Sequence, residues 1–74
     1  MENTYTGVFE QVGDWWTGYV EELPGCNVQE LTLPEARESL KEAVQLILQA
    51  NRDIARREAE GHQVIREPVA VPAE

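Results

Sequence analysis

Residues 22–36, Glu-Leu-Pro-Gly-Cys-Asn-Val-Gln-Glu-Leu-Thr-Leu-Pro-Glu-Ala, constrain the fold more than any other part of this 74-residue chain. Within fifteen residues they end one kind of structure and begin another. Pro24 cannot donate to a strand ladder, and Pro24-Gly25 suits the two central positions of a type II turn. Thr32 followed three residues later by Glu35 is a capping-box signature, and Pro34 falls in the first helical turn, where no intrahelical amide bond is lost. The chain therefore divides into a strand-forming part before this segment and a helix-forming part after it. That order predicts an α+β domain.

The first part reads as a hairpin. Residues 4–12 and 15–22 are rich in β-branched and aromatic types, and Gly13-Asp14 lies between them. Glycine at the first central position suits a two-residue type II′ turn. With that loop, paired positions sum to 27: Val8 faces Tyr19, Phe9 faces Gly18, and Val12 faces Trp15. One face of the hairpin then holds Tyr5, Phe9, Trp16 and Val20, with Gly7 and Gly18 among them. The other holds Val8, Val12, Trp15 and Tyr19, with Thr6, Glu10, Thr17 and Glu21. A sheet covered on one side only would show a polar second face. Here both faces carry large apolar groups. The glycines assign the helix to the first face, since they permit its close approach. The second face, Val8, Glu10, Val12, Trp15, Tyr19 and Glu21, is then the candidate partner-binding surface. A short third strand is expected at 27–31.

Beyond the cap, Leu33, Ala36, Leu40, Ala43, Val44, Ile47 and Ile54 recur at three- and four-residue steps, as in an amphipathic helix. It should run to Glu60, with Gly61 as its stop. Residues 49–60 offer only Ile54 as a large apolar anchor, so the last turns should project from the domain. Residues 62–67 can form a fourth strand, and Pro68 and Pro72 restrict the remaining residues to an edge strand or a tail. The expected organisation is one domain over residues 1–67 and a tail over 68–74. Its layout is a two-layer β-β-β-α-β arrangement, with a mainly antiparallel sheet and one long helix packed on one face.

Such a domain is small enough to need help. A chain of this length buries only about 60% of the surface it exposes when unfolded. One cysteine, Cys26, excludes an intrachain disulfide, and Cys26 with the single His62 cannot make a structural zinc site. Association with another chain is the remaining source of stability. The formal net charge is −8. Glu2, Glu10, Asp14, Glu21, Glu22 and Glu30 lie in residues 1–30 with no lysine or arginine, so that stretch carries most of it. A field of this sign repels phosphate and favours basic partners. No apolar run approaches a membrane span, and the N-terminus lacks a signal-peptide pattern, so a cytoplasmic protein without membrane contact is expected.

No catalytic constellation stands out, and no enzyme activity, metal or cofactor is expected. Cys26 after Pro-Gly reads as a small buried hydrophobe. Glu10, Glu21 and Glu22 read as a solvated acidic edge. The bases Arg37, Lys41, Arg52, Arg56 and Arg57 share one helix with interleaved acids, a pattern of intrahelical pairing rather than of nucleic-acid binding.

The block Glu22-Leu23-Pro24-Gly25-Cys26 with Thr32-Leu33-x-Glu35-Ala36, and before it Gly13-Asp14-Trp15-Trp16-Thr17-Gly18-Tyr19-Val20, resembles the N-terminal domain of HicB-type antitoxins. The likeness covers most of residues 5–50. Glu30 and Leu31 stand where family members usually have a glycine and an acid. The resemblance implies a domain similar to a truncated ribonuclease H fold without catalytic residues. It further implies self-association and binding to a HicA-like toxin, a small basic RNA-cleaving protein. The segment after Gly61 is too short for the DNA-binding region many members carry, so direct nucleic-acid contact is not expected. The alternative is an orphan homo-oligomeric binding or scaffold domain without a toxin.

Overall fold

The structure, a computed structural model, describes residues 4–72. Three strands, β1 (Gly7–Val12), β2 (Trp15–Val20) and β3 (Asn27–Glu30), precede one long helix, α1 (Leu33–Ala59). The sheet is antiparallel with β2 in the centre and β1 and β3 at its edges.

The hairpin forms with the predicted register. Val12 pairs with Trp15, Phe9 with Gly18 and Val8 with Tyr19. Gly13 has φ +61°, and among the described residues none other than glycine has positive φ, so the first loop position alone is left-handed, as a type II′ turn requires. The Glu21 amide donates to the Thr6 carbonyl at 3.0 Å, just beyond the end of β2. Because bonded and non-bonded rows alternate, Val8, Glu10 and Val12 direct their backbone groups at β2. Gly7, Phe9 and Gln11 direct theirs to the open edge.

The turn into β3 is also as the sequence predicts. Gly25 has φ +86°, and the Cys26 amide donates to the Leu23 carbonyl at 3.3 Å, which closes a four-residue turn around Pro24-Gly25. Thr32 caps the helix. Its hydroxyl oxygen accepts from the Glu35 amide at 3.3 Å and donates to the Glu35 carboxylate at 3.0 Å, and its carbonyl takes the Ala36 amide at 3.0 Å. At the far end Glu60 is the C-cap, and Gly61, at φ +78°, takes the left-handed conformation that ends helices.

The helix covers the predicted face. Val20, Cys26 and Leu40 form the buried centre, with Tyr5, Phe9, Leu23, Val28, Ala43, Val44 and Ile47 packed around them. Among the described residues four hydrophobic ones are buried: Val20, Cys26, Ala36 and Leu40. The helix lies chiefly over β3 and β2 and touches β1 little. Ser39 ties it to β3 by donating to the Glu30 carboxylate at 3.1 Å.

Two expectations need correcting. Gly18 does not make room for the helix. The Phe9 ring, from the paired strand, fills the space above it, and a Cβ there would lie 3.0 Å from two ring carbons. Gly7 makes room for both the same ring and the helix, since a Cβ there would lie 3.1 Å from Phe9 and 3.2 Å from Leu40. The second correction concerns the fourth strand. Residues 62–67 join no strand, and every residue from 60 to 72 is exposed. Packing in effect ends near Leu48, and the remaining turns of α1 overhang the sheet, with Ile54 half exposed.

Candidate partner-binding face

The sheet face opposite the helix is built by alternation. Side chains point to opposite faces at successive strand positions. Val8, Glu10 and Val12 from β1 therefore share this face with Trp15, Thr17 and Tyr19 from β2. The β2–β3 register, in which Thr17 pairs with Gln29 and Tyr19 with Asn27, adds Asn27 and Gln29. These two polar residues were not foreseen, because the six-residue connection between β2 and β3 does not set a register as a two-residue loop does.

The face lies open. Val12, Trp15 and Tyr19 are 53%, 43% and 45% exposed; Val8 is half-buried, and Glu10 and Glu21 are exposed. Its layout is ordered in rows. Val12 and Trp15 form an apolar row beside the hairpin turn, and Val8 and Tyr19 form a second one farther along. Glu10 and Thr17 lie between them. The Thr17 hydroxyl is occupied by the Glu10 carbonyl at 3.2 Å. A carboxylate thus stands between two apolar rows, with a third, polar edge formed by Asn27 and Gln29. Thr17, Tyr19, Asn27 and Gln29 also border a shallow depression on the β3 side.

The acids do not gather. Glu22, at the centre of the turn that follows β2, is bound to Thr6, just before β1. Its carboxylate accepts from the Thr6 amide at 2.7 Å and from the Thr6 hydroxyl at 2.8 Å. These bonds, the amide first, hold its pKa below the ordinary value of 4.5. Among the described residues no three His, Cys, Asp or Glu side chains converge as ligands for a cation. Cys26 is 1% exposed and sits in the apolar centre, whereas His62 is exposed beyond the helix, so the structure does not bring the pair together.

The helix bases are less paired than the sequence pattern implies. Among the described residues one ion pair forms, Lys41 with Glu38 at 3.3 Å. Asp53 instead accepts from Gln49 at 3.0 Å. Arg52, Arg56 and Arg57 extend along the overhanging end into solvent. No described helix is long and apolar enough to cross a membrane.

No protein-family model matches the chain, and no curated protein or solved structure is significantly similar to it.

Proposed function

We propose that this chain is a non-enzymatic binding protein that uses the open face of its sheet to cover a basic protein partner. In the form suggested by its HicB-like sequence blocks, the partner is a small RNA-cleaving toxin. The observation that carries the reading is the row of Glu10 between the apolar rows Val12/Trp15 and Val8/Tyr19. A surface of this kind suits a partner that presents a lysine or arginine flanked by apolar groups. The aromatics supply area that leaves water, and Trp and Tyr are the residue types that most often dominate binding energy. The acidic N-terminal half supplies attraction at a distance, which mainly raises the rate of encounter. The mechanism is occlusion: the toxin's basic RNA-binding surface is occupied by carboxylates and shielded by Trp15 and Tyr19.

The test is co-expression with a short basic ribonuclease encoded beside this chain, with RNA cleavage and co-purification as readouts. The expected result is a stable complex and suppressed cleavage, both lost in Trp15→Glu. Undiminished cleavage in the presence of equimolar purified chain would overturn the reading.

A further inference from the structure

The structure leaves two complementary things unused in the same chain. One is the open edge of β1, where Gly7, Phe9 and Gln11 turn their backbone groups away from the sheet. Beside it runs an open groove of about 860 Å³ between that edge and the helix, lined by Tyr5, Gly7, Phe9, Leu40, Val44 and Leu48, with Arg37, Glu38 and Lys41 on its rim. The other is the segment after the helix, in which Ile65, Val69 and Val71 are 87%, 82% and 83% exposed. We propose that residues 64–71 of a second copy of this chain add as a fourth, antiparallel strand along the edge of β1, so that two copies exchange their C-terminal segments.

Alternation along the segment supports this pairing in detail. Residues directly opposite one another in an antiparallel pair share a sheet face. The outward-bonding residues of β1 carry their side chains on the helix side. Residues paired with them must therefore face the groove and bond inward, and the residues between them bond outward. If Ile65, Val69 and Val71 enter the groove, Val64, Arg66, Pro68, Ala70 and Pro72 take the outward positions. Both prolines then stand where no ladder amide is needed, the placement an edge strand permits. A parallel strand with the same residues inward would put Pro68 where an amide must donate. Charges agree in part. Glu67 falls on the groove side, where Arg37 is the rim base without an ion-pair partner among the described residues and Lys41 is paired with Glu38. Arg66 falls on the opposite face, which carries Glu10.

Size and shape point to a second copy. The accessible surface is 6557 Å², whereas a compact monomer of this mass exposes about 4,600 Å². The excess per chain is roughly as large as a whole standard interface between two proteins. The radius of gyration is 15.7 Å, against about 11 Å for a compact domain of this length. The cause is the overhang. A helix of 27 residues is about 40 Å long, and a strand of six residues about 20 Å. The helix therefore delivers Gly61 well past its own sheet, with the segment free although its own β1 edge is open. An extended run from Ile65 to Val71 matches β1 in length.

The experiment combines sedimentation with amide hydrogen exchange on the full chain and on a chain ended after Gly61. The expected result is a dimer for the full chain at micromolar concentration and a folded monomer for the shortened one. The Gly7, Phe9 and Gln11 amides should exchange at least about tenfold more slowly in the dimer, whereas Val8, Glu10 and Val12 stay protected in both. If the shortened chain fails to fold, the double change Ile65→Lys with Val69→Lys in the full chain serves instead and should also give a monomer. A monomeric full chain overturns the proposal. So does a monomer with those edge amides protected, because its segment would then lie on its own sheet. A dimer that survives either change, or a dimer with unprotected edge amides, also overturns it.

Discussion

The ring of Phe9 lies directly over Gly18, its partner on the adjacent strand, so the missing side chain of one residue is replaced by the side chain of the other. Adding a methyl group at Gly18 would bring it to 3.0 Å from two ring carbons and 3.2 Å from Val28, closer than ordinary packing. Gly18→Ala should therefore destabilise the domain by about 1–3 kcal/mol, the usual cost of overpacking a fitted site. Urea unfolding followed by circular dichroism measures this. A stabilised variant would mean that the ring has room to move aside.

Leu40 is the helix residue that joins the sheet to the buried centre, and it is 5% exposed. Truncation to alanine should cost about 2–5 kcal/mol. The whole stability of a chain of 74 residues is about 4–11 kcal/mol. Leu40→Ala should thus lower the thermal midpoint steeply or unfold the protein. Leu46→Ala, at a residue 72% exposed, should be close to neutral.

Thr32 satisfies the first turn of the helix through its hydroxyl. Thr32→Ala should cost about 1 kcal/mol, and Thr32→Ser should recover most of it. Equilibrium unfolding of the three proteins separates the lost cap from any change in packing, since Thr32 is exposed.

Glu22 titrates below 4.5 because the folded chain offers its carboxylate the Thr6 amide and hydroxyl. A lowered folded-state pKa stabilises the fold fully above the ordinary value. That contribution is lost as pH falls through the folded-state value. Wild-type protein should be more stable than Glu22→Gln at pH 7, and the difference should shrink on acidification below 4.5. Unfolding curves across the acid range check the trend, and an NMR titration of the Glu22 carboxyl checks its midpoint. A midpoint above 4.5 would contradict it.

Trp15 stands on the open face and contributes little to the buried centre. Trp15→Glu should leave the circular dichroism spectrum and the proposed strand-exchanged dimer intact while weakening binding of the proposed partner by about 2 kcal/mol or more. Raising salt should slow association of the wild-type complex more than it speeds dissociation. Loss of helical signal in Trp15→Glu would instead assign this residue to the fold.

The features legible in the sequence are those that neighbouring residues decide. Gly13-Asp14 specified the pairing of β1 with β2, because a two-residue loop allows one register and one register sorts every side chain to a face. Pro24-Gly25 ended the strand and Thr32 began the helix through backbone geometry and local hydrogen bonds. The exposed face of Val8, Glu10, Val12, Trp15, Tyr19 and Glu21 followed from alternation. The sequence had no means of showing that Phe9 would fill the space over Gly18, that Thr6 would bind Glu22, or that Asn27 and Gln29 would border the face. Each depends on where a rotamer or a longer connection comes to rest. The fourth strand is the plainest case. Residues 62–67 have strand character, but a strand exists only against an edge, and it was the length and direction of the packed helix that carried this segment away from its own sheet.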